Sequence, residues 1–178
     1  MIKGEKVELT KPSREDMNLL SQWRNNPKFR RYYREYKEKN IDDQLSWFDN
    51  IMQNDKSWHH FIARPIGEKN IIGVALLNHI HEVNRTGEFG ITLGDLNYRG
   101  KGYGKDMLIT LLKYGFDQLN LNRIWCEVFS NNEALHFYRK IGFKDEGVLR
   151  QHVYKDGEYL NSILLGMLKS EFNDLFIK

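Results

Sequence analysis

Cysteine, proline and long apolar runs are all scarce in this sequence. Cys126 is the one cysteine among 178 residues, so an intrachain disulfide is excluded, and no CxxC pair or neighbouring histidine indicates a structural metal site. No apolar run approaches the ~20 residues that cross a bilayer, and the opening MIKGEKVELT lacks the apolar core of a secretion signal. We therefore expect a cytoplasmic protein with no membrane partner and no metal.

A strong excess of one charge is also missing. The chain carries 27 Lys and Arg against 24 Asp and Glu, a net charge of +3. This suits an anionic ligand but is too weak to favour nucleic acid as a partner. Hydrophobic residues make up 40% and charged residues 29%, a balance typical of a soluble globular protein. Because no repeat, low-complexity tract or linker interrupts it, we expect a single domain over residues 1–178.

The pattern of apolar residues predicts a mixed α/β (α+β) sheet with helices on it. A short strand at Val7–Leu9 is followed by two helices, one opened by Ser13 and one from Ile41, which we place before the main sheet. The next three segments, WHHFIAR, IIGVALLNHI and EFGITL, predict the strands of an antiparallel meander. The run after NYRGKGYG predicts a long helix, RIWCEVF a strand, and NNEALHFYRKIGF a short helix that ends at Gly142. VLRQHVY and EYLNSILLGML predict a closing hairpin.

A glycine-rich loop precedes the long helix, in the stretch NYRGKGYGKDML. Glycine lets backbone N–H groups converge on a ligand, and the positive end of the helix dipole favours phosphate there. Three cations strengthen the attraction, Arg99, Lys101 and Lys105. The kinase-type pattern GxxxxGK[ST] is absent, and no acidic partner follows as in a dinucleotide site. By itself the loop is equally compatible with a plain connecting turn.

Three motifs in order change that balance. RGKGYG matches the signature [RQ]xxGx[GA], GEFGITL stands before it and NNEALHFYRKIGF after it. Together they resemble the GNAT superfamily of N-acetyltransferases over roughly Val7 to Met167. The resemblance implies the GNAT fold, a mostly antiparallel twisted sheet flanked by helices with a splayed cleft for acetyl-CoA. It also implies transfer of an acetyl group from acetyl-CoA to a primary amine, by direct attack in a ternary complex.

The resemblance assigns the residues that bind acetyl-CoA. Backbone groups in the strand before the loop would pair with the pantetheine amides, while the side chains pack in the sheet. The loop amides would hold the diphosphate, with one arginine beside them and one asparagine facing the cofactor from the other side. The residues are Ile91, Thr92 and Leu93 on the strand, Arg99, Gly100, Lys101, Gly102, Tyr103, Gly104 and Lys105 in the loop, and Asn131 opposite.

Two residues are candidates for the proton transfers. A free amine has a pKa near ~10 and must lose a proton before it attacks a thioester. Glu88 begins the strand beside the thioester and is our candidate base, although a glutamate at a strand start is often only solvated. Tyr138 in HFYRKIGF matches the tyrosine that serves as general acid in many relatives and would protonate the departing thiolate. The alternative for Tyr138 is an aromatic packing residue.

Residues that contact the acceptor are harder to assign. The segment RRYYREYKEK interleaves basic and aromatic residues as RNA-binding surfaces do, and it also reads as a solvated helix or loop. In the acetyltransferase interpretation it covers the acceptor pocket, which makes Tyr32, Tyr33 and Arg34 candidate contacts. His79 and His81 share one strand parity near Glu88 and could line the mouth, although surface histidines are the simpler interpretation.

The identity of the acceptor stays open at this point. NHIHEVNRTGEFGI and EGVLRQHVYKDGEYLNSI are similar to spermidine N-acetyltransferases, but the basic YYREYKEK stands where those relatives carry an acidic segment, and it would repel a polycation. QWRNNP and QLSWFDNIM resemble enzymes that acetylate nucleotide-linked 4-amino sugars. Acetylation of ribosomal-protein N-termini is a third alternative, and a non-catalytic acyl-CoA sensor or RNA-binding module a fourth. A homo-oligomer is also possible.

Overall fold

The central element of the computed structural model, which describes residues 1–52 and 57–177, is an open sheet. Over those residues eight strands are hydrogen-bonded in the order β1-β2-β3-β4-β5-β6-β8-β7. The strands are β1 (Ile2–Lys3), β2 (Val7–Thr10), β3 (His59–Pro65), β4 (Gly73–His81), β5 (Thr86–Leu93), β6 (Arg123–Phe129), β7 (Lys144–Lys155) and β8 (Glu158–Leu168). All neighbouring pairs are antiparallel except β5 and β6.

Helices connect the strands and cover both faces. In the described part of the chain they are α1 (Met17–Asn25), α2 (Pro27–Arg30), α3 (Ile41–Trp47), α4 (Tyr103–Lys113), α5 (Ala134–Ile141) and α6 (Lys169–Phe176). A π-helical turn extends α3 over Phe48–Met52, and another extends α4 over Tyr114–Gln118. Within the described ranges, no helix combines the length and the apolar character that crossing a bilayer requires.

The fold predicted from the sequence is confirmed, with one correction near the start. Strands β3, β4 and β5 form the expected meander, and the KDG hairpin turns through Asp156 and Gly157, both at positive φ. The two predicted helices are present as α1 and α3, but they lie between β2 and β3 of one sheet and not ahead of it, because the predicted strand at Val7–Leu9 belongs to that sheet. Strands β1 and β2 come first, and the short helix α2 begins at Pro27 because the Asn26 side chain accepts the backbone N–H of Lys28 at 3.0 Å.

Helix α4 forms the centre of the core on one face of the sheet. Met107, Leu108, Leu111 and Leu112 are fully buried and pack toward β2, β4 and β5. Burying one such side chain contributes about 2 kcal/mol, so this helix and the loop before it are held firmly. Helix α5 lies on the same face and ends at Gly142, whose φ of 119° suits a residue without a side chain.

Aromatic residues cover the opposite face beside α3. The ring of His60 stacks on Trp58 with centroids 5.4 Å apart and meets the edge of Trp47 at 4.9 Å. Burial, with a smaller contribution from the charge of Arg24, lowers the pKa of His60 to about 4. His59 points the other way and hydrogen-bonds the Tyr114 hydroxyl at 2.8 Å. The two neighbouring histidines therefore serve two different faces of the sheet.

Candidate active site

The sheet opens between β5 and β6. Their parallel pairing covers only Thr86–Arg123, Gly87–Ile124 and Glu88–Trp125. Strand β5 runs on to Leu93 against β4, while β6 runs on to Phe129 against β8. In the described structure the edge of β5 that faces β6 is therefore unpaired past Glu88. The side chains of Ile91 and Leu93, two of the residues predicted to bind the cofactor through their backbone, pack against the core.

The glycine-rich loop lies at the start of α4. Gly100 and Gly102 have φ of 76° and 86°, a region where only glycine is unstrained. A Cβ added at Gly100 or Gly104 would meet nothing within 4 Å. The side of the backbone on which a side chain would stand is thus open at Gly100 and Gly104, beside the N-terminus of α4. The predicted residues lie in this turn, Arg99 to Gly102 before the helix and Tyr103 to Lys105 in its first turn, where the positive end of the helix dipole favours an anion.

A buried carboxylate anchors this loop to the N-terminal strands. Asp106, in the first turn of α4, accepts the backbone N–H groups of Glu5, Lys6 and Val7 at 3.0, 2.8 and 2.9 Å. Gly4 passes so close that an added Cβ would lie 2.5 Å from the Asp106 carboxylate. The sequence holds no local pattern that indicates this contact, because its partners are about a hundred residues apart.

Cations around the loop have internal partners. Arg99 pairs with Glu133 at 2.9 Å, and both side chains are largely exposed. Such a pair is worth less than about 1 kcal/mol, so an arriving phosphate can take over the arginine. Lys6, which the sequence does not single out, donates to the Lys101 carbonyl at 3.1 Å and lies 5.6 Å from the Tyr103 ring.

Glu88 lies at the last paired residue before the gap and is only 6% exposed. Its carboxylate pairs with Arg34 and meets His79 Nδ1 at 2.7 Å. Arg34 also binds the carboxylate of Glu127, on β6 past the split, at 3.1 Å. Burial lowers the pKa of the Arg34 guanidinium, but the hydrogen bond and charges of Glu88, with that of Glu127, outweigh this and raise it. Three of the predicted residues, Arg34, His79 and Glu88, are thus brought together.

The segment that carries Arg34 is fixed over the gap at two points. The Tyr33 hydroxyl hydrogen-bonds Thr92 Oγ1 at 2.9 Å, and burial raises the pKa of Tyr33, partly offset by that bond. Lys155, at the β7–β8 turn, donates to the carbonyls of Arg30 (2.9 Å) and Tyr33. Tyr33 and Thr92, predicted for different roles, therefore touch each other on the face that carries Glu88.

Two other predicted residues, Tyr32 and His81, lie outside this cluster. Tyr32 stacks with Arg31 at 4.8 Å. His81 accepts the N–H of Asn84 at 3.1 Å in the β4–β5 turn. The shared parity of His79 and His81 is broken by an extra residue in β4, since Asn78 pairs with Glu88 but His81 with Thr86, and only His79, at φ 49°, reaches Glu88.

Asn131 is exposed at the rim of a cleft of about 250 Å³. Its neighbour Asn132 is the residue that caps α5, accepting the N–H of Ala134 at 2.9 Å. Asn131 therefore does not cap α5. It follows β6 in the chain, whereas the glycine-rich loop follows β5, the other strand that borders the gap.

Tyr138 approaches the gap from the other face. Its ring is 8% exposed and packs edge-on against Phe89, with centroids 5.2 Å apart. Burial raises the pKa of its phenol. Within residues 1–52 and 57–177 nothing hydrogen-bonds the hydroxyl. Because successive side chains of a strand point to opposite faces, Glu88 and Phe89 place the carboxylate and the Tyr138 phenol on opposite sides of the sheet at the split.

Glu127 is the main site residue that the sequence reasoning missed. It alternates with buried Ile124, Cys126 and Val128 in RIWCEVF, so a charge inside an otherwise apolar strand was a usable signal. Grouped ligands for a metal ion are not found among the residues that the structure describes.

Comparison with known proteins agrees with this geometry. Residues 6–144 match the profile of the acetyltransferase (GNAT) domain. The spermidine N(1)-acetyltransferase of Escherichia coli K12 is 31% identical over 168 residues, which cover 93% of this chain and 88% of that protein. A putative ribosomal N-acetyltransferase of Bacillus subtilis is 29% identical over 58% of this chain and 56% of that protein.

A solved structure extends the likeness to the fold. The spermidine N-acetyltransferase of Vibrio cholerae, crystallised with CoA and spermine, superposes with a TM-score of 0.87 at 26% identity and covers 94% of this chain and 98% of that one. The chain belongs to the GNAT family and is an acetyl-CoA-dependent N-acetyltransferase.

Proposed function

We propose that this enzyme acetylates a primary amine of an aliphatic polyamine. The observation that supports this most directly is the pair of carboxylates at the gap, Glu88 and Glu127, whose side chains are 7% and 11% exposed. Two carboxylates with so little access to water require a cation beside them. The similarity to spermidine N-acetyltransferases over nearly the full length supports the same class of acceptor.

Ion pairs within the protein weaken the objection that the basic segment RRYYREYKEK would repel a polycation. Arg24 pairs with Glu35, and Arg30 with Glu38 at 2.5 Å. Arg34 is held by Glu88 and Glu127. Two of the five cations in RRYYREYKEK, Arg30 and Arg34, are thus paired with carboxylates in the fold, and the side chains of Glu88 and Glu127 are more buried than that of Arg34.

In the proposed mechanism the chain supplies a base on one face and an acid on the other. Acetyl-CoA supplies the acetyl thioester when it is bound. Glu88 accepts a proton from the ammonium group, so that the neutral nitrogen attacks directly while both substrates are bound. The Tyr138 hydroxyl then donates its proton to the departing sulfur, and the second proton that the nitrogen loses as the amide forms restores the phenol. Backbone amides of Ile91, Thr92 and Leu93 and of the loop from Arg99 to Lys105 hold the carrier, with Asn131 as a further contact.

A panel of acceptors tests the proposal. The purified enzyme is incubated with acetyl-CoA and spermidine, spermine, a nucleotide-linked 4-amino sugar or a ribosomal-protein N-terminal peptide. Thiol release and the mass of the acetylated product are measured. We expect kcat/KM for the polyamines to exceed that for the others by about 10²-fold, because burying an unpaired carboxylate is so unfavourable. Preference for the sugar or the peptide would contradict the proposal, and binding without turnover would indicate a sensor.

Glu88→Gln tests the base. The amide keeps the size of the side chain but cannot take the proton, so we expect kcat to fall roughly 10²-fold at pH 7. The loss should shrink as the pH approaches ~10, where the amine is increasingly neutral without help. Steady-state kinetics with a polyamine at several pH values measure this. A loss that is the same at every pH would assign Glu88 to acceptor binding alone.

A cytoplasmic location, a homo-oligomer and a single domain over residues 1–178 stay predictions. The single-domain interpretation is supported by the sheet, to which both the first and the last strands contribute.

A further inference from the structure

We infer that Arg34 is an internal competitor for the acceptor's ammonium group, and that it sets the affinity of the active site for cationic acceptors. The inference rests on the proposed function. Arg34 contacts both carboxylates of the gap, Glu88 on β5 and Glu127 on β6. A primary ammonium about to react at the gap needs the same two groups.

The exposure of the three side chains separates the movable partner from the fixed ones. Glu88 and Glu127 project from paired strands and are 7% and 11% exposed, whereas Arg34 is 47% exposed and lies in the loop between α2 and α3. The guanidinium can therefore leave toward solvent while the carboxylates stay in place. An arriving ammonium takes its position, so neither carboxylate is left buried without a cation.

The tether makes this competition strong. A competing group that belongs to the same chain acts at an effective concentration in the millimolar range, so an acceptor must displace a guanidinium that is always present. Among the residues that the structure describes, removing Arg34 leaves His79 at 2.7 Å from the Glu88 carboxylate and His152 at 3.9 Å from that of Glu127. We expect the acceptor KM to fall about tenfold in Arg34→Gln, or about 1.4 kcal/mol, with the KM for acetyl-CoA unchanged.

The experiment compares Arg34→Gln with Arg31→Gln. Arg31→Gln is the matched control, because it removes one positive charge from the same segment. The Arg31 side chain stacks on Tyr32. The probe is the guanidinium ion at low millimolar concentration, titrated by calorimetry and used as an inhibitor. We expect it to bind Arg34→Gln and to compete with the polyamine, at least about tenfold more tightly than in the wild type or in Arg31→Gln. A second change, Glu127→Gln in the Arg34→Gln background, should abolish that binding.

The outcomes divide cleanly. A higher acceptor KM in Arg34→Gln, or guanidinium that restores activity, would make Arg34 a positioning residue and overturn the inference. Equal guanidinium binding in all variants would overturn it as well. Thermal unfolding checks that each variant is folded. If Arg34→Gln does not fold, Arg34→Lys takes its place in the comparison. Because calorimetry needs no turnover, guanidinium binding in an enzyme that fails to acetylate polyamines would sink the proposed acceptor and leave the competitor role standing.

Discussion

Tyr138→Phe is expected to lower kcat roughly 10²- to 10³-fold while the affinity for CoA stays within about twofold. A positioned general acid contributes about 10² to 10⁴ to the rate, and the buried Tyr138 ring packs edge-on against Phe89, the residue after Glu88. Phenylalanine keeps the edge-on packing with Phe89, so the fold and the cofactor cleft should be retained. Steady-state kinetics and calorimetric titration with CoA separate the two effects.

The pH dependence and a control variant sharpen this result. Burial raises the pKa of Tyr138, so the phenol stays protonated above its usual range and the wild-type rate should show no loss from its ionisation up to pH ~10. Tyr114→Phe is the matched control, since burial also raises the pKa of that phenol, which bonds His59 rather than facing the gap. An unchanged kcat in Tyr138→Phe would remove it as the acid.

Gly104→Val is expected to weaken CoA binding at least about 10²-fold and to leave the fold intact. Gly104 is the second residue of α4 and does not have a positive φ. A Cβ there meets nothing within 4 Å, so the protein itself accommodates the side chain. A diphosphate on the loop amides would meet the valine directly. Calorimetry gives the affinity, and thermal unfolding should show a Tm within a few degrees of the wild type.

Two further glycines serve as comparisons. Gly147→Val places the same side chain on β7, where an added Cβ has Leu164 at 4.0 Å, and should not change CoA binding. Gly102→Ala acts differently, because its φ of 86° costs a residue with a side chain about 1–2 kcal/mol, so stability should fall. Normal CoA affinity in Gly104→Val would place the diphosphate elsewhere.

Local patterns in the sequence predicted most of the fold. Three of these patterns depend only on neighbouring residues. The alternation in EFGITL matches β5, the glycines of RGKGYG match the loop before α4, and Gly142 matches the end of α5. The gap between β5 and β6 was also expected, although it came from the resemblance to a family rather than from alternation.

The arrangement of the site could be predicted only in part. Glu88 was placed correctly at the start of the opened strand, but its partners Arg34 and His79 come from a distant loop and from a bulge. An extra residue in a strand leaves no mark on composition or periodicity. For the same reason, RRYYREYKEK looked repulsive to a polycation, since the pairs of Arg30 with Glu38 and of Arg34 with Glu127 exist only once the chain is folded.

The anchoring of Asp106 has a consequence for how the loop is kept in shape. Its carboxylate has three backbone N–H donors, all from residues 5–7. If these residues were displaced, a carboxylate that is 9% exposed would lose every one of them, and the first turn of α4 would have to reorganise to hydrate it. The shape of the glycine-rich loop therefore depends on backbone groups of residues 5–7, which are about a hundred residues away in the sequence.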